Sequence, residues 1–305
     1  MEEKICYLNG EFIKESEAKI SINDRGYLWG DAAYDVLRTF GHVPFRLKEH
    51  SERTFRSLRL IDLDPGITPE KLTEASLEVF KRNEKNLSPD EDYMIRQQIS
   101  REEGPGGVIG TGIAGKPNIT IRCYEIPYKS YAKKYLEGIH VMVAETRRYP
   151  PQCLDPRAKV TSRLNNVLAD REVRRVDPDA YALMLDINGY VAECTAQNIF
   201  MVSKGKLFTP RMPGILEGIT RGAILDVTRE AGIECLEKDL TIYDLHNADE
   251  VFITSTSLTM FSVAKLSNRP LGNPIPGPVV KKLFEGWNRM VGIDAVEQCM
   301  KHLND

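Results

Sequence analysis

Residues 181–202 constrain the fold of this chain more than any other segment. The segment starts with the apolar run Tyr181–Leu185, turns at Asn188-Gly189, and continues in two further strand-like runs, 190–195 and 198–202. Asn-Gly is the strongest short hairpin signal, because the tight turn between two antiparallel strands needs residues that accept a positive φ. The segment therefore predicts a β-meander.

One acidic residue lies inside this meander. Glu193 stands between Ala192 and Cys194 on a predicted strand with apolar neighbours, so its carboxylate is predicted to be buried or half-buried. A buried carboxylate needs a cationic partner, because an unpaired charge is costly to remove from water. Glu193 is therefore either one half of a structural salt bridge or the partner of a cationic ligand.

A lysine precedes the meander where a loop becomes a helix. Lys159 follows Pro156 and comes before residues 164–173, in which apolar side chains recur at helical spacing. Most lysines in such places are solvated charges. A desolvated lysine, however, is a nucleophile that forms an imine with an aldehyde cofactor. Lys159 is the candidate for that chemistry.

A chain break and a helix start follow the meander. Pro213-Gly214 interrupts the chain, Gly218 allows the backbone a close approach, and Ile219-Thr220 opens a predicted helix. Free amides at a helix start bind anions, although most helix starts are capped and bind nothing. A lysine, a strand-borne carboxylate and an anion site in this order predict a pyridoxal phosphate enzyme, in which the carboxylate keeps the pyridinium protonated.

These parts together resemble a known family. The chain contains the runs K-x-x-x-R-L-N-N-V-L-A, D-x-N-G-Y-V-A-E-x-T-x-x-N-I-F, L-F-T-P and L-E-G-I-T-R. As a set they are similar to the class IV aminotransferases of the fold-type-IV pyridoxal phosphate enzymes, above all to archaeal-type branched-chain aminotransferases. The similarity extends from Leu8-Asn9-Gly10 to the strand at Val251 and fades after Leu271.

The resemblance implies an α+β fold of the fold-type-IV kind. It implies a small N-terminal α/β domain (residues 1–125), a connector (126–138) and a larger C-terminal domain (139–305) that binds the cofactor around a β-barrel-like core. It further implies a homodimer, with the active site between the domains at the dimer interface. The implied reaction uses pyridoxal 5'-phosphate and moves an amino group from a branched-chain or other hydrophobic amino acid or amine to a 2-oxo acid, such as 2-oxoglutarate or pyruvate.

The resemblance also implies roles for individual residues. Lys159 is the catalytic residue, and Glu193 meets the pyridinium nitrogen. The other cofactor-binding positions are Arg53, Leu216, Gly218, Ile219, Thr220 and Thr256. The substrate-binding positions are Tyr34, Val36, Arg38, Arg96, Ser257 and Leu258.

The substrate-binding positions near the N-terminus lie on predicted strands. Residues 33–40 predict a strand with Tyr34, Val36 and Arg38 on one face, because side chains alternate along a strand. Residues 93–100 predict another strand, which carries Arg96. We expect Arg38 or Arg96 to bind the second carboxylate of 2-oxoglutarate, although Arg96 is equally explained by a structural ion pair.

Three further segments carry predictions. Residues 45–61 predict an amphipathic helix that carries Arg53, whose planar guanidinium can donate to two phosphate oxygens at once. Residues 102–116 are glycine-rich without the strand-then-helix setting of a nucleotide motif, so they predict a mobile loop that could cover the pocket. The segment from Pro278 predicts a terminal helix.

The chain departs from the family pattern near the implied pocket. Leu164 stands where branched-chain enzymes carry a tyrosine that contacts the phenolic oxygen of the cofactor, and residues 259–262 also differ. Tyr34 and Val36 are more similar to D-amino-acid and (R)-amine transaminases, yet residues 105–108 lack the carboxylate trap of that group.

Other departures leave further functions open. Arg163-Leu164 and the run AECTAQNIF resemble aminodeoxychorismate lyase. The alternatives to a branched-chain aminotransferase are therefore a D-amino acid or (R)-selective amine transaminase, a lyase of the aminodeoxychorismate type, and a non-catalytic cofactor-binding protein. The last is disfavoured, because the lysine, the glutamate and the phosphate groups are all retained.

Composition excludes several classes of partner. The 41 basic and 44 acidic residues are dispersed and give a net charge of -3, which argues against nucleic acid binding. No apolar stretch approaches the length that spans a membrane, and the polar start MEEKICYLNG is unlike a signal peptide, so we expect a cytoplasmic protein without membrane contact. The six cysteines lack metal-binding spacing, so we expect reduced thiols and no metal site.

Overall fold

The computed structural model describes residues 2–101 and 116–304. The chain divides into two compact units. The N-terminal unit contains the described part of residues 1–126 together with 158–163, and the C-terminal unit contains 127–157 and the described part of 164–305. Lys159 therefore belongs to the N-terminal unit, although part of the C-terminal unit precedes it along the chain.

The N-terminal unit is built on a six-stranded sheet in the order β2-β1-β6-β5-β3-β4, with every pairing antiparallel. Its elements are β1 (Ile5–Leu8), β2 (Glu11–Lys14), α1 (Arg25–Trp29), β3 (Ala32–Phe40), β4 (Val43–Pro44), α2 (Leu47–Leu60), α3 (Pro69–Glu84), β5 (Tyr93–Ser100) and β6 (Asn118–Glu125). A short 3-10 helix, Glu15–Glu17, follows β2.

The core of this unit lies between the sheet and helices α2 and α3. Leu58 of α2, Leu72 of α3 and Ile95 of β5 belong to one buried apolar cluster. Helix α2 also buries polar residues: His50, Arg53 and Ser57 are all almost inaccessible to solvent. Their spacing of three and then four residues places them on one face of the helix. This polar face is what positions the site described below.

The C-terminal unit contains a nine-stranded mixed sheet in the order β12-β11-β10-β13-β14-β7-β8-β9, with β15 paired to β14. Its strands are β7 (Ile139–Val143), β8 (Tyr181–Leu185), β9 (Val191–Cys194), β10 (Asn198–Ser203), β11 (Lys206–Thr209), β12 (Cys235–Glu237), β13 (Glu250–Ser255), β14 (Thr259–Leu266) and β15 (Arg269–Pro270). Its helices are α4 (Tyr128–Glu137), α5 (Leu164–Arg174), α6 (Ile219–Glu230), α7 (Ile242–His246), α8 (Pro278–Val291) and α9 (Ala295–Lys301).

Aromatic and small apolar side chains fill the core of the C-terminal unit. Phe200 of β10 and Phe252 of β13 stack with ring centroids 5.1 Å apart. Helix α5 buries Ala169 and Val173 in a cluster with Met184 of β8. Helix α5 thereby rests on the meander strand that sequence analysis identified first.

The strand predictions hold closely. The runs 93–100 and 181–185 are strands at the predicted bounds, and the Asn188-Gly189 turn connects β8 to β9, with Gly189 at a φ of 87°. Residues 128–137, within the predicted connector, form helix α4, and helix α9 was not predicted. The predicted mobile loop, apart from Lys116, lies outside the described residues.

Helix α5 differs from its prediction in the face that it buries. The apolar spacing of Leu164, Val167 and Leu168 correctly predicted a helix, yet these three side chains are 70%, 48% and 52% exposed. The helix buries Val173 of the same apolar set, together with Asn166 and Ala169. Across residues 2–101 and 116–304, none of the helices combines the length and the apolar character needed to cross a lipid bilayer.

A buried carboxylate joins β13 to α8 within the C-terminal unit. Glu250 accepts hydrogen bonds from the backbone amides of Val279 (2.8 Å) and Val280 (3.0 Å), in the first turn of α8. Glycine is required at Gly277, because a Cβ there would lie 2.2 Å from the Glu250 side chain. The carboxylate thus satisfies amides that the helix itself leaves without an acceptor.

We expect Glu250→Ala to lower the free energy of unfolding by about 1–3 kcal/mol, because two buried amides lose their acceptor. Urea denaturation followed by circular dichroism measures this change. Glu285→Ala, an exposed position on the same helix, should shift the midpoint far less. Equal shifts for the two variants would contradict the capping role of Glu250.

Candidate functional site

The backbone around Lys159 is fixed to the sheet and to helix α2 of the N-terminal unit. The carbonyl of Lys159 accepts from the amide of Tyr34 on β3 at 3.0 Å, and Val160 forms an antiparallel bridge with Ala33. The amide of Lys159 donates to the Ser57 hydroxyl at 2.9 Å. Lys159 therefore sits on a rigid support, although it lies in a connecting segment.

The side chain of Lys159 is half-buried, and its amine lies 4.8 Å from the ring centroid of Tyr34. Burial lowers the pKa of this amine from its usual range, and the positive charges of Arg53 and Arg163 act in the same direction. Tyr34 and Asp35 oppose the shift without reversing it. A lowered pKa increases the neutral, nucleophilic fraction of the amine at a given pH.

A buried charged cluster lies beside Lys159. Asp35 of β3 accepts two hydrogen bonds from Arg53, at 2.6 and 2.7 Å, and its Oδ1 lies 3.0 Å from Nδ1 of His50. All three side chains are at least 97% buried. Although burial alone would raise the pKa of Asp35, the charge of Arg53 and the hydrogen bonds from His50 and Arg53 hold that pKa far below its usual range.

Burial lowers the pKa of His50, which favours the neutral imidazole against the opposing effect of Asp35. The neutral ring can then donate its Nδ1 hydrogen to Asp35. Because Asp35 engages Arg53 through two parallel bonds, the plane of the guanidinium is fixed. Arg53 is therefore held in one orientation before any ligand binds.

Several basic side chains lie beside Tyr34. The Arg163 guanidinium donates from Nη1 to the Tyr34 hydroxyl at 2.9 Å, and the Arg96 guanidinium lies 4.2 Å from the ring centroid. Burial alone would raise the pKa of the Tyr34 hydroxyl, but Lys159, Arg163 and Arg96 together lower it below its ordinary value.

The other substrate-binding positions predicted in this unit differ in exposure. Val36 is half-buried, whereas Arg38 is only 1% exposed. The Arg38 guanidinium lies 4.2 Å from the ring centroid of Phe40 and donates from Nε to the carbonyl of Thr39. Arg96 is half-buried and donates to the Gln98 side chain at 2.9 Å.

In the C-terminal unit, Glu193 is 4% exposed and points both carboxylate oxygens at donors. Oε1 lies 3.1 Å from Nη2 of Arg148, and Oε2 accepts from the backbone amide of Leu216 at 3.0 Å. Nη1 of Arg148 in turn donates to the Asn166 side chain on α5. Glu193 is thus a buried, paired carboxylate, and its orientation is set from two sides.

Asn198 connects this carboxylate to the start of helix α6. Its side-chain amide donates to the carbonyl of Leu216 at 3.0 Å and lies 3.4 Å from Glu193 Oε2. A Cβ on Gly218 would lie 2.2 Å from Asn198 Oδ1, so only glycine fits there. Gly218 is the N-cap residue of α6 and forms no side-chain cap, so no cap residue occupies the helix start at Ile219 and Thr220, which suits an anion.

The turn between β13 and β14 is also held tightly. Thr259 adopts the left-handed conformation with a φ of 57°, and its carbonyl accepts from the Thr254 hydroxyl. The carbonyl of the buried Leu258 accepts from the Tyr135 hydroxyl at 2.8 Å. Thr256 and Ser257, between these anchors, are half-buried.

Several residues around Lys159 and around Glu193 were given no role from the sequence. His50 and Ser57 share the face of Arg53 on α2, a spacing that could have been recognised. Asp35 stands between Tyr34 and Val36 on β3, on the strand face that carried no prediction. Arg148 stands in a loop before any motif, so no local signal pointed to it.

Comparison with known proteins identifies the family that this chain matches. The model of the family described as amino-transferase class IV matches residues 32–266. A Methanocaldococcus jannaschii protein, provisionally named a branched-chain-amino-acid aminotransferase, is 37% identical over 92% of this chain and 93% of its own length. The D-alanine aminotransferase of Bacillus licheniformis is 30% identical over 90% of this chain and 93% of its own length.

Solved structures agree with the sequence matches. A branched-chain aminotransferase from Thermoproteus uzoniensis, in complex with norvaline, superposes with a TM-score of 0.86 at 29% identity and covers 97% of both chains. The Escherichia coli branched-chain aminotransferase gives 0.84 at 27% identity, over 95% of this chain and 94% of its own. The predicted family and the predicted fold-type-IV, α+β architecture are thereby confirmed.

We expect Asp35→Asn to lower the free energy of unfolding by about 3–5 kcal/mol, because Arg53 then remains buried without its carboxylate. Urea denaturation at neutral pH measures the loss. Since the pKa of Asp35 is lower in the folded chain than in the unfolded one, its contribution is present above pH of about 4 and is lost below it.

Glu52→Gln is the matched control for this measurement. Glu52 lies on α2 beside Arg53 and forms an exposed pair with Lys48 at 3.9 Å. Exposed pairs contribute about 0–1 kcal/mol. A similar, small effect of both substitutions would mean that the buried cluster contributes little to stability.

Proposed function

Because this chain belongs to the class IV aminotransferase family, we propose that it transfers an amino group from a branched-chain or similar hydrophobic amino acid to a 2-oxo acid such as 2-oxoglutarate or pyruvate. The observation that carries the proposal is the half-buried Lys159, whose lowered pKa suits an amine that acts as nucleophile and base. We further propose that the cofactor is pyridoxal 5'-phosphate, as in this family of enzymes.

The residues present fit this cofactor. Gly218 gives helix α6 an N-terminus without a side-chain cap, and such a helix start suits a phosphate. Arg53 is the second phosphate ligand, with its guanidinium oriented in advance by Asp35. We assign a further phosphate contact to Thr256. Leu216, whose amide is bound to Glu193, completes the cofactor-binding residues.

Each polar group has a distinct task in the proposed reaction. When bound, the cofactor supplies an electron sink for the charge left at the substrate α-carbon. Lys159 Nζ would hold the cofactor and would accept the proton from the substrate α-carbon. Glu193 would provide the negative charge for the ring nitrogen of the cofactor, and Arg148 keeps that carboxylate in place.

The donor is the least constrained part of the proposal. Branched-chain donors are favoured by the relative from Methanocaldococcus jannaschii and by the structural match to the enzyme from Thermoproteus uzoniensis. A D-amino acid or an (R)-amine is the second candidate, favoured by the identity of Tyr34 and Val36 and by the D-alanine aminotransferase relatives. Ser257 and Leu258 are assigned to the substrate carboxylate in either case.

We also propose a cytoplasmic homodimer. In the N-terminal unit, Ile22, Tyr27 and Trp29 expose 76%, 74% and 42% of their surface within one short segment, which suits a surface covered by a second copy. All six cysteines are free thiols, as suits a reducing compartment.

A screen of amino donors tests the proposed function. Purified holoenzyme is assayed with L-leucine, L-valine, D-alanine and an (R)-amine, each with 2-oxoglutarate or pyruvate. We expect the highest kcat/KM with a branched-chain L-amino acid, and no turnover by Lys159→Ala, because both the attachment point and the base are removed. Pyruvate release from an aminated chorismate without any acceptor would indicate a lyase instead.

Substitution of Glu193 tests the assignment of the ring-nitrogen carboxylate. We expect Glu193→Gln to retain the cofactor through the phosphate contacts but to lose about 10²- to 10³-fold in kcat, as when one electrostatic contact at the reacting centre is removed. Glu234→Gln, which breaks an exposed pair with Lys206 in the same unit, is the control. Near-normal turnover of Glu193→Gln would reduce Glu193 to a structural partner of Arg148.

A further inference from the structure

Arg163 has no role in the reaction as proposed above. It ends the short segment 158–163 that begins beside the catalytic lysine, and its guanidinium donates to the Tyr34 hydroxyl. The next side chain, Leu164, is 70% exposed. Of the pair Arg163-Leu164, Arg163 is therefore the residue that contacts Tyr34.

Positive charge converges on Tyr34 from three residues. Arg163 contacts its hydroxyl, while Arg96 and Lys159 lie 4.2 and 4.8 Å from its ring centroid. The adjacent carboxylate, Asp35, already accepts from the Arg53 side chain and from the amide of Val36, and it faces His50. Asp35 is thus engaged elsewhere, and an anionic ligand at Tyr34 would meet cations on several sides.

The same geometry disfavours Arg38 as the partner of Arg96. Arg38 is only 1% exposed, with its guanidinium over Phe40 and its Nε bound to the carbonyl of Thr39. Releasing it toward a substrate would break these contacts. Arg163, by contrast, already shares Tyr34 with Arg96.

We infer that Arg163 is a further substrate-binding residue, which together with Arg96 binds the distal carboxylate of a dicarboxylic 2-oxo acid acceptor at Tyr34. The inference rests on the proposed function and deepens it by adding a residue that determines the specificity for the acceptor. A dicarboxylate whose carbonyl carbon lies at Lys159 carries its second charge a few bonds away. The lysine and both arginines contact one tyrosine, so that second charge has two guanidinium groups within its reach.

Tyr34 explains how an apolar donor can use the same pocket. The ring face gives Arg96 and Lys159 an electrostatic partner when no carboxylate is present. Its hydroxyl accepts from Arg163, and its lowered pKa reflects the same three cations. Tyr34 therefore holds the place of the anion while the hydrophobic amino acid is bound, and the acceptor carboxylate replaces it.

Kinetics of the holoenzyme test the inference. With one amino donor, kcat/KM is measured for 2-oxoglutarate and for pyruvate, which lacks a distal carboxylate. We expect Arg163→Leu to weaken 2-oxoglutarate by about 10- to 150-fold, mainly through KM, and to leave pyruvate within about threefold. Arg163→Lys, which keeps the charge but not the paired geometry, should recover part of the loss.

Arg56→Leu is the matched control, because it removes an exposed positive charge from the same unit. It should change both acceptors by less than about twofold, as expected for a screened surface charge. Equal losses for 2-oxoglutarate and pyruvate in Arg163→Leu would overturn the inference and make Arg163 a support of Tyr34.

A second measurement does not depend on turnover. Holoenzyme labelled with ¹³C at the tyrosine ring carbon that carries the hydroxyl is titrated by NMR, and Tyr34→Phe identifies the Tyr34 signal among the 12 tyrosines. Glutarate, a dicarboxylate without an oxo group, should raise the pH at which Tyr34 ionises, because it neutralises the cations around the ring. Acetate at equal carboxylate concentration should act less, and Arg163→Leu should abolish the glutarate effect.

The two measurements separate failure of the inference from failure of the proposed function. A wild-type enzyme that transaminates pyruvate but not 2-oxoglutarate, and whose Tyr34 ignores glutarate, would overturn the inference alone. A protein without transaminase activity, whose Tyr34 signal still responds to glutarate through Arg163, would overturn the proposed function and support the carboxylate site.

Discussion

The N-terminal unit depends on the interaction of the Asp35 carboxylate with Arg53 and His50 of helix α2. The carboxylate lies on strand β3, is fully buried, and is stabilised by Arg53 and His50 of helix α2 and by the amide of Val36. The same helix face supplies Ser57, which binds the amide of Lys159. One buried polar face therefore fixes both the guanidinium assigned to the phosphate and the backbone of the lysine assigned to the cofactor.

The C-terminal unit also contains a buried carboxylate, Glu193, but its partners are different. Glu193 is held by Arg148, by the amide of Leu216 and by Asn198. One carboxylate therefore binds a strand, a loop and the segment that precedes a helix. In each unit a buried acid is paired before any ligand arrives. Such pairs are a weak source of stability, since burying charge is costly. Their value lies in holding side chains in one geometry, which catalysis requires.

Sequence reasoning recovered what depends on local patterns and missed what depends on packing. The apolar run 181–185 and the Asn188-Gly189 turn predicted strands at their observed bounds, and the spacing of Leu164 and Leu168 predicted a helix. That spacing did not reveal that these leucines are exposed. Arg148 and Arg163 meet their partners only in the folded chain, through contacts separated by 45 and 129 residues, so no local motif could indicate these contacts.

The placement of residues 158–163 has a consequence for dissecting the molecule. This segment returns from the C-terminal portion of the chain to bridge Ala33 through Val160, and it carries Lys159 into the N-terminal unit. A fragment cut after residue 126 would lack that strand partner and leave the Ser57 hydroxyl without the amide of Lys159. The two units are interleaved in sequence, so an N-terminal fragment with its complete set of backbone partners would have to be made by circular permutation or by grafting the six-residue segment onto the fragment.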